Sequence, residues 1–189
     1  TILRTSFINT AAEKYGFKKQ LVDIVTTNNN PFIRTKLIAA LLKGKSIGDL
    51  LELTDSIAVT PSLEKIVTEL KKQGYITGII SDSYDCVTNH LKNKFGFDFT
   101  ISNELEFSRS FTTGEVKIPS LFVSGEDSQC KHDYCKLNAL IKICGQYKVD
   151  LKNTLMIGDG ENDICCLKKA GIGISFCSTS NLVDAVADY

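Results

Sequence analysis

The chain has 189 residues, 43% of them hydrophobic, and its 22 Lys and Arg balance 22 Asp and Glu to a formal net charge of zero. This length and apolar content suit one ordinary domain, or a domain with a smaller insert, and exclude wholesale disorder. Because there is no basic excess to neutralise a phosphate backbone, we expect no nucleic-acid partner. No apolar run approaches the roughly 18 residues of a membrane span, so we also expect no membrane association.

The cysteines indicate a reducing environment. Their number is odd and the first ten residues show no signal-peptide pattern, so free thiols are favoured over a disulfide framework. We therefore expect a cytoplasmic protein. The cysteines stand at positions 86, 130, 135, 144, 165, 166 and 177.

Residues 1 to about 58 carry helical patterns only. Apolar residues recur at helical spacing in three stretches, around Ala11, Ile24 and Ile38, and a shorter helix is expected from Ile47. Pro31 is well placed in the first turn of the third helix. This part of the chain is predicted to be all-helical.

From Thr60 onward, strand and helix patterns alternate. A hairpin is predicted over 104–117, with its turn at Thr113-Gly114. The alternation favours the α/β class, with a doubly wound, mostly parallel sheet whose binding sites lie at the carboxyl ends of the strands. The predicted helices are 61–72, 84–94, 137–147, 164–170 and 182–187, and the predicted strands are 75–80, 97–102, 154–157 and 172–176.

Ser81, Asp82 and Ser83 follow the predicted strand 75–80. A hydroxyl at this point, beside the N-terminus of the next helix, can donate a hydrogen bond to a phosphate oxygen. The alternative is an ordinary helix N-cap, for which Ser and Asp are common.

Asp159 and Asp163 are four residues apart and directly follow the strand 154–157, which is predicted to be buried. Gly158 and Gly160 on either side of Asp159 allow the backbone to turn sharply, and carboxylate oxygens suit Mg²⁺. The alternative is an Asx turn with a helix cap. The full stretch, with Asn162 beside Asp163, favours a magnesium site.

Lys136 lies at the start of the predicted helix 137–147, 23 positions before Asp159. A lysine at a helix N-terminus opposes the helix dipole, which disfavours it unless the charge has another purpose. Binding an anion is one such purpose, and a solvated surface lysine is the alternative.

Cys130, His132 and Cys135 form a Cys-x-His-x-x-Cys stretch. Zinc would need a fourth ligand here, either Cys144 or a water molecule. A redox-labile pair of cysteines and an incidental loop are the alternatives.

Together, these motifs resemble those of the haloacid dehalogenase superfamily, in its phosphoserine-phosphatase-like branch. The resemblance implies an α/β core formed by 1–3 and 59–189, a small helical cap formed by 4–58, and a β-hairpin excursion over 104–117. The matching stretches are 78–81, 102–106, 112–116, 136–140, 157–163 and 170–176.

The resemblance implies a Mg²⁺-dependent phosphomonoester hydrolase that acts on a small phosphorylated metabolite through an aspartyl-phosphate intermediate. Ser81 would bind the phosphoryl group, and Lys136 would neutralise it and orient the nucleophile. Asp159 would bind Mg²⁺ directly, and Asp163 would hold a metal-bound water. Asn162 would lie near the phosphoryl oxygens. The alternative is a non-catalytic phosphate- or metal-binding module of the same fold.

The family's first motif, Asp-x-Asp-x-Thr or Val, is matched only in its last residue, by Thr1. The resemblance therefore implies that the nucleophilic aspartate and the first strand lie ahead of Thr1, and that the chain is cropped at both ends. The chain as given is expected to bind Mg²⁺ poorly and to turn over nothing.

Three positions depart from the phosphoserine phosphatase pattern. Ser6 and Ala39 stand where that branch has a glutamate and an arginine that hold the amino acid, so phosphoserine is disfavoured. Asp82 replaces a glycine of the second motif, as in relatives that act on phosphoethanolamine and phosphocholine. It is expected either to meet a cationic or hydroxylated leaving group or only to cap the helix.

Overall fold

The computed structural model describes residues 2–126, 128–132 and 134–189. These residues divide into two compact units, Ile2–Pro119 and Ser120–Tyr189, which we call the N-terminal unit and the C-terminal unit. In the part of the chain described, no helix is both long enough and apolar enough to cross a membrane.

The N-terminal unit begins with four helices and continues as alternating helices and strands, as predicted. Helix α3 begins where expected, because the Asn30 side chain accepts hydrogen bonds from the N–H groups of Phe32 and Ile33 and Pro31 occupies the first turn. Strand β1 pairs with β2 in parallel, and β2 pairs with β3 antiparallel. The elements are α1 (Phe7–Tyr15), α2 (Lys18–Thr27), α3 (Pro31–Ala40), α4 (Ile47–Ser56), α5 (Leu63–Lys72), β1 (Gly78–Tyr84), α6 (Asp85–Phe95), β2 (Phe99–Ser108) and β3 (Phe111–Lys117).

One hydrophobic core serves the whole N-terminal unit. It joins residues of the first four helices, such as Phe7 and Leu50, to residues of the sheet and of α6, such as Val87 and Leu105. The Phe7 ring lies edge-on to the ring of Tyr84, with 6.3 Å between centroids. The helices and the strands are therefore stabilised by the same apolar contacts. The boundaries of a cap at 4–58 stay a prediction.

The C-terminal unit contains a second parallel pair, in which β4 lies beside β5 with Leu155 opposite Ile172. Helix α7 has the predicted bounds, and the α/β class is confirmed. Short 3₁₀ turns at Ser120–Phe122, Leu151–Asn153 and Glu161–Asp163 connect the longer elements. The latter are α7 (Leu137–Tyr147), β4 (Leu155–Gly158), α8 (Ile164–Lys169), β5 (Ile172–Ser175) and α9 (Asn181–Asp184).

Several element boundaries differ from the prediction, and the structure gives a local reason for two of them. Strand β1 begins at Gly78 rather than at residue 75, because the Thr77 N–H donates to the Asp98 carboxylate instead of to a neighbouring strand. It continues to Tyr84 across an irregularity in its register with β2. Helix α5 begins at Leu63 rather than at Pro61, because Ser62 adopts a left-handed conformation with a φ of 63°.

The hairpin over 104–117 is present, but its predicted turn is wrong. The turn lies at Arg109 and Ser110, whose φ angles of 49° and 70° are those of a tight hairpin turn. Gly114 lies within β3, with a φ of 86°, and a Cβ there would lie 3.2 Å from the backbone of Ala40 in α3. The glycine thus serves the close approach of a helix rather than a chain reversal.

The predicted burial of β4 is wrong on one face of the strand. Leu155 and Ile157 are 52% and 44% exposed, and Ile172 of β5 is 42% exposed. The opposite face of this strand pair is covered. Gly158 at the end of β4 and Gly173 in β5 are both buried.

Candidate functional site

Lys136 and Asp163 form a buried ion pair in the C-terminal unit. Lys136 directly precedes α7 and is only 6% exposed, and its Nζ donates to Asp163 Oδ1 at 2.8 Å. Lys136 is therefore not a solvated surface lysine. A buried ammonium group requires a hydrogen-bonded anion nearby, and Asp163 supplies one from 27 residues away.

The other oxygen of Asp163 organises the loop that follows β4. Asp163 Oδ2 accepts hydrogen bonds from the backbone N–H groups of Asp159 and Gly160, both at 3.2 Å. The alternative prediction of a turn with a helix cap is therefore confirmed in part, because these bonds close the short turn before α8. One carboxylate holds both the lysine and the loop.

Gly158 makes room for this arrangement. A Cβ on Gly158 would lie 2.6 Å from the Cβ and 2.8 Å from the Cγ of Asp163, which is closer than real side chains approach. Asp163 can therefore fold back over the end of β4 only because this position is glycine.

Asp159 lies on the exposed side of the same loop, and Asn162 is half-buried beside it. The donor groups on this loop are oxygens, and an accessible carboxylate completed by water and substrate oxygens is a coordination that Mg²⁺ accepts. The residues present therefore fit Mg²⁺, with Asp159 as the ligand and Asp163 behind it.

Ser81 and Asp82 lie in the N-terminal unit, in the irregular part of β1. The Ser81 hydroxyl oxygen accepts a hydrogen bond from the Ser83 N–H at 3.1 Å. Tyr84 occupies the N-cap position of α6, with no side-chain capping bond, so neither Ser81 nor Asp82 caps that helix. The carbonyl of Asp82 is held instead by the buried side chain of Asn103, at 2.6 Å.

Ser6 and Ala39, the positions that disfavour phosphoserine as the substrate, differ in solvent exposure. Ser6 is exposed at the N-terminus of α1, whereas Ala39 is fully buried in the core of the N-terminal unit. Neither side chain carries a charge that could pair with an amino acid.

A second polar cluster in the C-terminal unit was only partly predicted. Cys130, His132 and Cys135 lie together, and the fourth member is Cys165 of α8. Cys144 or a water molecule was the predicted fourth ligand, but Cys144 is buried in α7 outside the cluster. The separation of 30 residues between Cys135 and Cys165 gave no local signal of their proximity.

The chain is similar in sequence to known hydrolases. A family model of haloacid dehalogenase-like hydrolases matches residues 10–171. The phosphoserine phosphatase of Methanocaldococcus jannaschii is 31% identical over 139 residues, covering 74% of this chain and 61% of that protein. The phosphoserine phosphatase of Archaeoglobus fulgidus is 30% identical over 148 residues, covering 78% of this chain and 40% of that protein. The chain thus spans less than two thirds of the length of these relatives.

A solved structure agrees with this result. A phospho-aspartyl intermediate analogue of phosphoserine phosphatase is 28% identical and has a TM-score of 0.80, covering all of this chain and 87% of that chain. This similarity confirms the predicted α/β fold. Since the family model covers most of the chain, the chain belongs to the haloacid dehalogenase-like hydrolases.

Proposed function

We propose that the chain provides most of a Mg²⁺-dependent phosphomonoester hydrolase that acts on a small phosphorylated metabolite through an aspartyl-phosphate intermediate. The observation that carries this proposal is the buried Lys136 ammonium group, held by Asp163 at the loop that bears Asp159. Phosphoryl transfer depends mainly on positioning and on cations that stabilise the spreading negative charge. Family membership and the phosphoserine phosphatase relatives support the same reaction.

Lys136 and each polar residue of the loop after β4 would have a distinct role. Lys136 would hold a phosphoryl oxygen and the attacking carboxylate in line, because its position is fixed by Asp163. Asp159 would bind Mg²⁺, which neutralises phosphoryl oxygens when bound. Asp163 would position Lys136 and a metal-bound water, and Asn162 would lie near the phosphoryl oxygens. The attacking carboxylate would be that of the aspartate in the family's first motif, whose last residue is matched by Thr1.

Ser81 would donate its hydroxyl hydrogen to the phosphoryl group. Its oxygen already accepts the Ser83 N–H, which orients the hydroxyl and leaves its hydrogen to be donated. Asp82 is exposed and would face the leaving group.

The helical segment 4–58 would form the cap that encloses the substrate. The curated relatives are phosphoserine phosphatases, yet Ser6 and Ala39 offer no charge for the amino acid. We therefore propose a phosphate ester other than phosphoserine. Its leaving group would be cationic or hydroxylated, in keeping with Asp82.

We infer a reducing cytoplasm as the compartment. Its support is that all seven cysteines are free thiols in the structure.

The decisive experiment measures phosphate release by the intact full-length protein. We expect activity with Mg²⁺, none after chelation, and recovery on adding Mg²⁺ back. Lys136→Ala should lower the rate at least about 100-fold. Lys142→Ala, an exposed lysine on α7, is the matched control and should not change it.

Two results would overturn the proposal: no ester hydrolysed under any metal condition, or equal rates for both lysine variants. Binding of Mg²⁺ and phosphate without turnover would instead favour the non-catalytic module.

The leaving group is tested by comparing phosphoserine, phosphoethanolamine and phosphocholine in the wild type and in Asp82→Gly. We expect the variant to lose preference for the cationic esters. The same relative rates in both proteins would refute a role for Asp82 in substrate choice.

A further inference from the structure

We propose that Cys130, His132, Cys135 and Cys165 form a structural zinc site in the C-terminal unit. One ligand atom from each residue, three Sγ atoms and a histidine ring nitrogen, lies within 4.8 Å of all the others. In the part of the chain that the structure describes, this is the one group of histidine, cysteine and acidic side chains that is compact enough to enclose a metal ion. The proposal does not depend on the phosphatase activity.

The distances between ligand atoms fit a tetrahedral site. With Zn–S bonds of about 2.3 Å, two sulfurs in a tetrahedron lie about 3.8 Å apart. The Cys130 and Cys165 Sγ atoms are 3.7 Å apart. A sulfur and an imidazole nitrogen would lie about 3.6 Å apart, and His132 Nδ1 is 3.3 Å from Cys165 Sγ.

One contact is shorter than a metal site would have. His132 Nδ1 is 2.9 Å from Cys130 Sγ, a hydrogen-bond distance, so the separation of these two atoms would increase by about 0.7 Å when zinc binds. His132 is exposed and has room to move. It would bind through Nδ1, which already faces both sulfurs.

The burial of the ligands suits a structural ion. Cys130 and Cys135 are buried, Cys165 is half-buried, and the Leu137 N–H points at Cys135 Sγ from 3.5 Å. A backbone donor of this kind stabilises a thiolate. Because four protein ligands fill a tetrahedron, no position remains for a reacting water.

The donor set selects the metal. Three sulfurs and an imidazole favour zinc over Mg²⁺, which binds oxygen ligands. A disulfide between Cys130 and Cys165 would use only two of the four groups. The neighbouring Cys166 is fully buried in α8 and is not a member of the grouping of ligand atoms.

The site would fix the two segments that supply the buried ion pair. Cys135 immediately precedes Lys136, and Cys165 lies two residues after Asp163. In the described part of the segment before Lys136, Val123 and Tyr134 form a bridge and the Cys135 N–H donates to the Phe122 carbonyl. Zinc would join this segment directly to α8.

The test is metal content and cobalt substitution in the intact protein, purified without chelator. We expect one equivalent of zinc that remains in Asp159→Asn and in Cys177→Ser, an exposed cysteine outside the cluster. His132→Gln and Cys165→Ser should lower zinc affinity at least about 10-fold. Replacement by Co²⁺ should give thiolate charge-transfer absorption and the intense visible bands of a tetrahedral site.

Circular dichroism of the metal-free His132→Gln protein separates loss of the site from loss of the fold, because His132 is exposed. The proposal is overturned if the folded wild type binds no zinc when zinc is supplied, or if the cobalt protein lacks thiolate absorption. It is also overturned if peptide mapping of protein isolated under non-oxidising conditions shows Cys130 cross-linked to Cys165.

Discussion

A single carboxylate determines the local geometry of the candidate site. Asp163 accepts one hydrogen bond from the Lys136 ammonium group and two from the N–H groups of Asp159 and Gly160. The sequence identified these residues because a lysine at a helix N-terminus and two acidic residues after a strand are locally unusual. It did not predict that Asp163 would bind the lysine directly, because the contact joins residues far apart in the chain.

Removing one partner of this ion pair should strongly destabilise the C-terminal unit. Lys136→Met leaves a buried carboxylate without its cation, and we expect a loss of about 3 kcal/mol in the free energy of unfolding, measured in urea. Lys152→Met, at an exposed ion pair with Asp150, should change it by less than about 0.5 kcal/mol. Equal effects of the two substitutions would contradict this account.

Gly158→Ala should displace Asp163, because the added methyl group would overlap its Cβ and Cγ. We expect a loss of about 2 kcal/mol in stability and a parallel loss of phosphate release. Gly145→Ala provides the control: it lies inside α7 with open space around it, so the same change should stabilise by about 0.5–1 kcal/mol. A stable and fully active Gly158→Ala protein would show that the close approach is unimportant.

Asp98 connects three secondary-structure elements, α5, β1 and β2. Its carboxylate accepts hydrogen bonds from Lys71 at the end of α5 and from the Thr77 N–H and hydroxyl just before β1, and Asp98 itself directly precedes β2. Partial burial raises the pKa of this carboxyl, but these hydrogen bonds lower it by more, so the pKa lies below its ordinary value. Folding therefore favours the ionised form.

Asp98→Asn should thus cost stability in a pH-dependent way. The ionised carboxylate stabilises the fold fully above the unfolded pKa of about 3.9, and the effect disappears as the pH falls through the lower folded value. We expect a deficit of about 1–2 kcal/mol near neutral pH that narrows in acid, measured by urea unfolding at several pH values. A deficit independent of pH would mean that the lost interaction is not electrostatic.

The predicted elements were most accurate where the signal was local. Helix α7 has the bounds that its apolar spacing gives, and the Asn30-Pro31 pair marks the start of α3. The hairpin turn was misplaced because Thr113-Gly114 has turn composition, whereas the actual turn uses Arg109 and Ser110, which rarely adopt positive φ. That glycine is explained by its positive φ within β3 together with the close packing of α3.

Across the whole molecule, each compact unit has its own source of stability. The N-terminal unit buries the apolar faces of its first four helices against α6 and the sheet. The C-terminal unit, at 70 residues, combines a smaller apolar core with the buried ion pair and the cluster of Cys130, His132, Cys135 and Cys165. If the proposed zinc binds to this cluster, it would add the kind of cross-link from which a small unit gains stability.

Leu50→Ala should destabilise the helices and strands of the N-terminal unit together. Leu50 is fully buried in α4, so the substitution should cost about 2–5 kcal/mol. Hydrogen exchange should show the same loss of protection in α1 and in β2. Ile33→Ala, at an exposed residue of α3, is the control. Loss of protection in the helices alone would show that they fold separately from the sheet.

The core shared by helices and strands limits how the helical segment 4–58 can be exchanged between proteins. Grafting the helical segment 4–58 from a relative would replace one half of an interlocking interior and leave its complement on α6 and β3 unchanged. Mismatched donor sequences would therefore give insoluble chimaeras. A successful transplant has to carry the facing side chains, Val87, Leu91 and Val116 among them, along with the helices.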